Sequence, residues 1–205
     1  LGNAVVSGNI STPITTFAGG TNWKQVFSST YYLVEFSCAV KTDGTLWTWG
    51  VNTSGQLGNA STTDVSTPIT TFAGGTNWKQ VSIGYYMISA IKTDGTLWTW
   101  GYNTSGQLGR PYVNEVATST PVTTFAGGTN WADTATGAAD ELYTLSGSSA
   151  IKTDGTLWTW GDSGFGLLGD ATVTLDRSTP VTTFAGGTDW KQVDDSSSTK
   201  GAIKT

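Results

Sequence analysis

Acids are the first place to look for chemistry, because the 205 residues contain no His and a single Cys, Cys38. That composition excludes a Ser-His-Asp triad, a Cys-His dyad, a histidine metal site, a cysteine zinc cluster and an internal disulfide. Asp43, Asp94 and Asp154 recur regularly and invite an acid–base or cation-binding reading. Each is followed by Gly, and Asp-Gly favours a tight hairpin, so a backbone role in a type I′ turn is the expectation. Asp140-Glu141, Asp194-Asp195 and the set Asp162, Asp170, Asp176 lie outside the repeated positions, and none has the spacing of a metal-binding loop. Gly164-Phe165-Gly166-Leu167-Leu168-Gly169 fits the dinucleotide pattern G-x-G-x-x-G, but no helix or βαβ unit follows, which makes it a drifted turn. No catalytic, cofactor-binding or metal-ligating residue is expected, and the chain reads as a non-enzyme without cofactor.

Aromatic residues divide into two classes. All ten Trp occupy repeated positions: Trp23, Trp78, Trp131 and Trp190 in one register, the pairs Trp47/Trp49, Trp98/Trp100 and Trp158/Trp160 in another. A residue that every unit needs reads as scaffold rather than as a platform for sugars or bases. The seven Tyr (31, 32, 85, 86, 102, 112 and 143) fall where the repeats differ, and Tyr gives large amphipathic contact at low entropy cost in recognition loops. The variable segments between each repeated Trp and the following Ala supply the candidate partner-binding residues Tyr31, Tyr32, Tyr85, Tyr86, Met87, Glu141 and Tyr143. Together they would form an aromatic, weakly acidic patch; the alternative is that these rings fill space between sheets. Asn9, Asn52, Asn59 and Asn103 fit the N-glycosylation pattern, which is frequent by chance in a Ser/Thr-rich chain.

The elements that must hold these residues follow from the repeat itself. Ser-Thr-Pro-[Ile/Val]-Thr-Thr-Phe-Ala-Gly-Gly-Thr-[Asn/Asp]-Trp occurs four times, its prolines at Pro13, Pro68, Pro121 and Pro180; Lys-Thr-Asp-Gly-Thr-Leu-Trp-Thr-Trp-Gly begins at Lys41, Lys92 and Lys152. Ala-Ile-Lys-Thr and Thr-Leu-Trp-Thr-Trp flank each Asp-Gly as two strands of a hairpin, Trp-Lys-Gln-Val reads as another strand, and Pro68 to Phe72 as a further one. Four short strands every 50 to 60 residues fit an all-β propeller of four-stranded blades. The whole of 1–205 reads as one array with units at roughly 1–50, 51–101, 102–161 and 162–205. The last unit lacks its Trp-Thr-Trp strand, so an incomplete ring, or a segment of a longer array completed by neighbouring chains or further repeats, is expected.

These same motifs, with Asn-Thr-Ser-Gly-Gln-Leu-Gly and the following Thr-Pro, resemble the repeat of the regulator of chromosome condensation family over nearly the whole chain. The resemblance implies a β-propeller, commonly of seven blades. It departs at one point: a His often precedes the strand ending in Ala-Leu-Lys, and Met87 stands near that place here. Fifteen acidic against ten basic residues give a net charge of −5, which disfavours nucleic acid. No apolar run reaches the length of a membrane helix. The expected function is therefore a non-enzymatic recognition or structural module presenting loops to a protein or glycan. The resemblance to bacterial and phage members places it on a virion or a bacterial surface, hence extracellular. An inhibitor capping an extracellular enzyme is one alternative. Guanine-nucleotide exchange is another, though no exchange loop carries over.

Overall fold

The computed structural model describes residue 16 and residues 18–29, 35–111, 117–137, 147–195 and 200–205. Strands β1 (Trp23–Ser28), β2 (Phe36–Lys41), β3 (Leu46–Gly50) and β4 (Val65–Thr70) form the first antiparallel sheet, in that order. A second sheet holds β5 (Trp78–Gly84), β6 (Met87–Lys92), β7 (Leu97–Tyr102) and β8 (Ala117–Thr123), and a third β9 (Trp131–Thr136), β10 (Gly147–Lys152), β11 (Leu157–Gly161) and β12 (Arg177–Thr182). The fourth unit contributes two strands, β13 (Trp190–Asp195) and β14 (Lys200–Lys204). Among the described residues the only helical element is a single 3-10 turn at Gly164–Gly166. It lies within the G-x-G-x-x-G match and carries a positive φ at Phe165, so the match is a turn with no helix terminus to hold a phosphate.

Successive sheets pack as blades, with β1 against β5, β5 against β9 and β9 against β13. These innermost strands line a common axial cavity of about 410 Å³. The fold is thus an all-β, open propeller of the expected kind.

The Asp-Gly hairpin departs from the sequence expectation. A type I′ turn needs positive φ at both central residues, yet only the Gly is left-handed (Gly44, φ 78°; Gly95, φ 79°; Gly155, φ 77°). The Gly44 amide donates to the Lys41 carbonyl and the Lys41 amide to the Thr45 carbonyl. This is a three-residue loop in which the Gly makes a bulge after a turn. The Asp side chain explains the choice: Asp43 Oδ1 accepts from the Thr45 amide at 2.9 Å and from its hydroxyl at 2.7 Å, and the Thr45 hydroxyl accepts from the Trp47 indole at 2.9 Å. The relay recurs at Asp94-Thr96-Trp98 and Asp154-Thr156-Trp158. The hydroxyl bond holds all three carboxyls below their ordinary pKa.

The second Trp of each pair joins blades. Trp100 is fully buried and its indole N–H donates to the Gln56 carbonyl of the preceding blade at 2.9 Å; Trp160 does the same to Gln107 at 2.8 Å. A Cβ on Gly58 would lie 2.7 Å from the Trp100 Nε1, so Gly is needed here for close approach. The loops around these glycines are organised by buried Asn52 and Asn103. The Asn52 side chain accepts from the Leu57 amide and donates to Asn59, Ser61 and Thr63; Asn103 accepts from Leu108. Both match the glycosylation pattern, and both are sealed inside the folded loop.

Candidate functional site: a tyrosine cluster at one end of the blades

Antiparallel order puts the connections between first and second strands, and those between third and fourth, at one end of every blade, with the Asp-Gly turns at the other. Among the site candidates, Tyr85 and Tyr86 belong to the first group. Tyr31, Tyr32, Glu141 and Tyr143 lie outside the described residues. The remaining connection is a two-residue turn, Tyr85-Tyr86, between the paired residues Gly84 and Met87.

Tyr85 and Tyr86 are half-buried and meet edge to face, 4.7 Å between ring centroids with an 82° interplanar angle. Tyr102, at the end of β7, completes the cluster at 6.1 Å from Tyr85 and 6.3 Å from Tyr86. β6–β7 pairing brings it there, because Met87 lies opposite Gly101 and the Tyr102 amide donates to the Tyr86 carbonyl at 2.9 Å. Tyr86 holds a φ of 52°, an uncommon conformation for a bulky residue, of a kind that clusters at functional sites. The turn is fixed from the next blade too, its Tyr85 amide donating to the Gly137 carbonyl at 3.1 Å.

Met87 is a correction. It is fully buried, since β6 begins at this residue and turns its side chain inward, with the sulfur accepting from the Ser148 hydroxyl. It supports the turn from beneath and offers nothing to a partner. Tyr102 is the residue that site prediction passed over. It too stands at a non-repeated position, and only strand pairing shows that it joins Tyr85 and Tyr86.

Several of the described acidic groups are occupied structurally. Asp133 accepts from the Gln80 side chain and the Val193 amide, tying three inner strands together. Asp195 accepts from Lys200 and Ser149. Burial works against the Asp170 carboxylate, but bonds from Thr172 and Arg177 outweigh it and keep the pKa low; burial raises that of Asp162. No group of three metal-ligating residues occurs among the described residues. The repeated Lys were also missed as scaffold: Lys92 sits 4.6 Å over the Trp78 ring and 4.5 Å over the Trp98 ring, and Lys41 and Lys152 repeat the arrangement. No described helix is long and apolar enough to cross a membrane.

Residues 43–91 and 94–139 match the family model "Regulator of chromosome condensation (RCC1) repeat", and 78–107 match a second model of that description. Human E3 ubiquitin-protein ligase HERC2 is 31% identical over 136 residues, 64% of this chain and 3% of that protein. The Ultraviolet-B receptor UVR8 of Arabidopsis thaliana is 30% identical over 156 residues, 72% of this chain and 32% of the relative. Among solved structures, Saccharomyces cerevisiae Prp20p superposes with a TM-score of 0.72 at 18% identity, over 90% of this chain and 44% of that one. The chain spans less than half the length of each of these. The matched relatives come from human, mouse, A. thaliana, Caenorhabditis elegans and yeast, and one is named as mitochondrial. This overturns the expected placement as a virion, phage or bacterial-surface component and the extracellular location. The repeats, the blades they build and the matches across 43–139 agree: within that span the chain carries repeats of the regulator of chromosome condensation type.

Proposed function

We propose that this chain is a protein-binding propeller module whose recognition surface is the blade end carrying Tyr85, Tyr86 and Tyr102, extended by the connections that hold Tyr31, Tyr32, Glu141 and Tyr143. The module is not an enzyme. The observation that carries the reading is the half-exposed tyrosine cluster on a turn held at positive φ. The repeated Trp, the lysines stacked on them and the turn aspartates serve the scaffold, whereas the tyrosine rings, Tyr85 and Tyr86 packed on the core from one side, stay half-exposed, and Tyr is enriched at protein interfaces. The solved relative Prp20p is described by its binding to Gsp1p and histones, and in a second structure by its complex with Kap60. A protein partner is therefore favoured over a glycan.

A second reading, regulation of a small GTPase by nucleotide exchange, is favoured by a C. elegans relative named as a GTPase regulator homolog. Both are tested by titrating the chain with purified Gsp1p, Kap60 and core histones, and by following nucleotide release from Gsp1p. Binding of one of the three at micromolar or tighter Kd supports recognition, and accelerated release supports exchange. Binding of none contradicts the proposal.

A further inference from the structure

Three copies of one arrangement within the scaffold show what a pair of crossed aromatic rings holds. Trp23 with Trp47, Trp78 with Trp98, and Trp131 with Trp158 stand with ring centroids 6.1 to 6.2 Å apart and interplanar angles of 75° or 76°. In each pair a Lys ammonium sits 4.4 to 4.8 Å from both centroids, inside the ~6 Å reach of a cation–π contact. At the opposite end of the second blade, Tyr85 and Tyr102 repeat that geometry at 6.1 Å and 90°. Tyr86 adds a third ring, 4.7 Å from Tyr85 and 6.3 Å from Tyr102. Centroids this close leave points that lie within ~6 Å of all three. The matching positions of the adjoining blades carry acids. Glu35 precedes the residue paired with Gly50 in the first blade as Tyr86 precedes the residue paired with Gly101, and Asp162 follows Gly161 in the third as Tyr102 follows Gly101. With a net charge of −5 on the whole chain, this blade end favours a cation.

Building on the protein-binding function proposed above, we infer that Tyr85, Tyr86 and Tyr102 form an aromatic cage for a trimethylated lysine of the protein partner. The choice of cation follows from hydration. The scaffold lysines are tethered beside their rings and half-exposed, so they keep part of their water. A partner's cation must give up water on arrival, and an unmodified ammonium is compact, strongly hydrated and has three N–H donors to satisfy. Trimethylation keeps the charge, removes the donors and clothes the nitrogen in methyl groups that pack against ring faces. The Tyr86 turn, held at a φ of 52° and tied to Gly137 of the next blade, fixes two of the three walls before the ligand arrives, which lowers the ordering cost of binding.

The probe is N-acetyl-trimethyllysine N-methylamide, titrated into the full chain and followed by NMR of the tyrosine ring protons. Its unmethylated form and an uncharged isostere with carbon in place of the nitrogen serve as controls. The trimethylated probe is expected to shift the ring resonances of Tyr85, Tyr86 and Tyr102 and to bind about tenfold or more tightly than either control. Tyr102→Leu is expected to lose that preference while keeping its β-sheet circular dichroism, and Tyr102→Phe, which restores the ring, to keep it. Equal affinity for the charged and uncharged probes, or no shift of these rings in the parent chain, overturns the inference. So does Tyr102-dependent binding to phosphatidylcholine vesicles without binding of the lysine probe, which would assign the quaternary ammonium to a lipid. If the probe fails while Gsp1p, Kap60 or histones bind through the tyrosines, the cage falls and protein recognition stands; if the probe binds and none of the three proteins does, the cage stands and the recognition proposal falls.

Discussion

Trp100 and Trp98 stand two residues apart on one strand and do different work. Trp100 is fully buried between blades, while Trp98 is half-buried beside Trp78 with Lys92 above both rings. Trp100→Ala is expected to cost on the order of 3 to 5 kcal/mol, as for large aromatic deletions in cores, and Trp98→Ala measurably less; urea unfolding of each variant checks the order. Lys92→Met keeps the stem and removes the charge, and should cost about 0.5 to 1 kcal/mol on the same measurement. The scaffold role of the tryptophans was legible in the sequence because every copy has them. The lysine stacks were not, because a Lys at the end of a strand reads as a solvated tip until pairing of the first two strands places Trp78 opposite Lys92.

At the scale of the hairpin, one dipeptide admits two geometries. Asp-Gly suits a type I′ turn and equally a turn closed by a Gly bulge, and the pairing of Lys41 with Thr45 selects the second. Gly95 must also be bare: a Cβ there would lie 2.0 Å from the Thr129 carbonyl of the next blade, whereas Gly127, also at positive φ, has open space. Gly95→Ala is therefore expected to destabilise more than Gly127→Ala, the difference reporting blade docking rather than backbone strain. The Asp-Thr-Trp relays set an acid limit. Hydrogen bonds from Thr hold Asp43, Asp94 and Asp154 below their ordinary pKa in the fold, so their contribution is complete above the unfolded value of about 4 and is lost as pH falls through the lowered folded value. Urea midpoints across that range should fall for the parent chain and fall less for a variant with all three changed to Asn.

For the molecule as a whole, repetition made the architecture readable, and its absence marked the site. Four-stranded blades, their order and the open fourth unit follow from motifs that recur. Tyr85 and Tyr86 emerged because they lie where the repeats differ in length and sequence. Met87 was placed at the surface because sequence does not fix whether a strand begins one residue earlier or later, and a shift of one residue turns a side chain to the other face. Tyr102 was left out because its neighbours across β6 and β7 are remote in sequence. The central claim, that a tyrosine-bearing blade end recognises a protein, is tested most directly by titrating Gsp1p, Kap60 and core histones into the parent chain and into Tyr85→Ser/Tyr86→Ser, with urea midpoints measured in parallel. The account predicts that the parent binds at least one of them, and that the double variant binds it about tenfold or more weakly while still unfolding in one cooperative urea transition. Equal affinity of the two chains for that partner would contradict it.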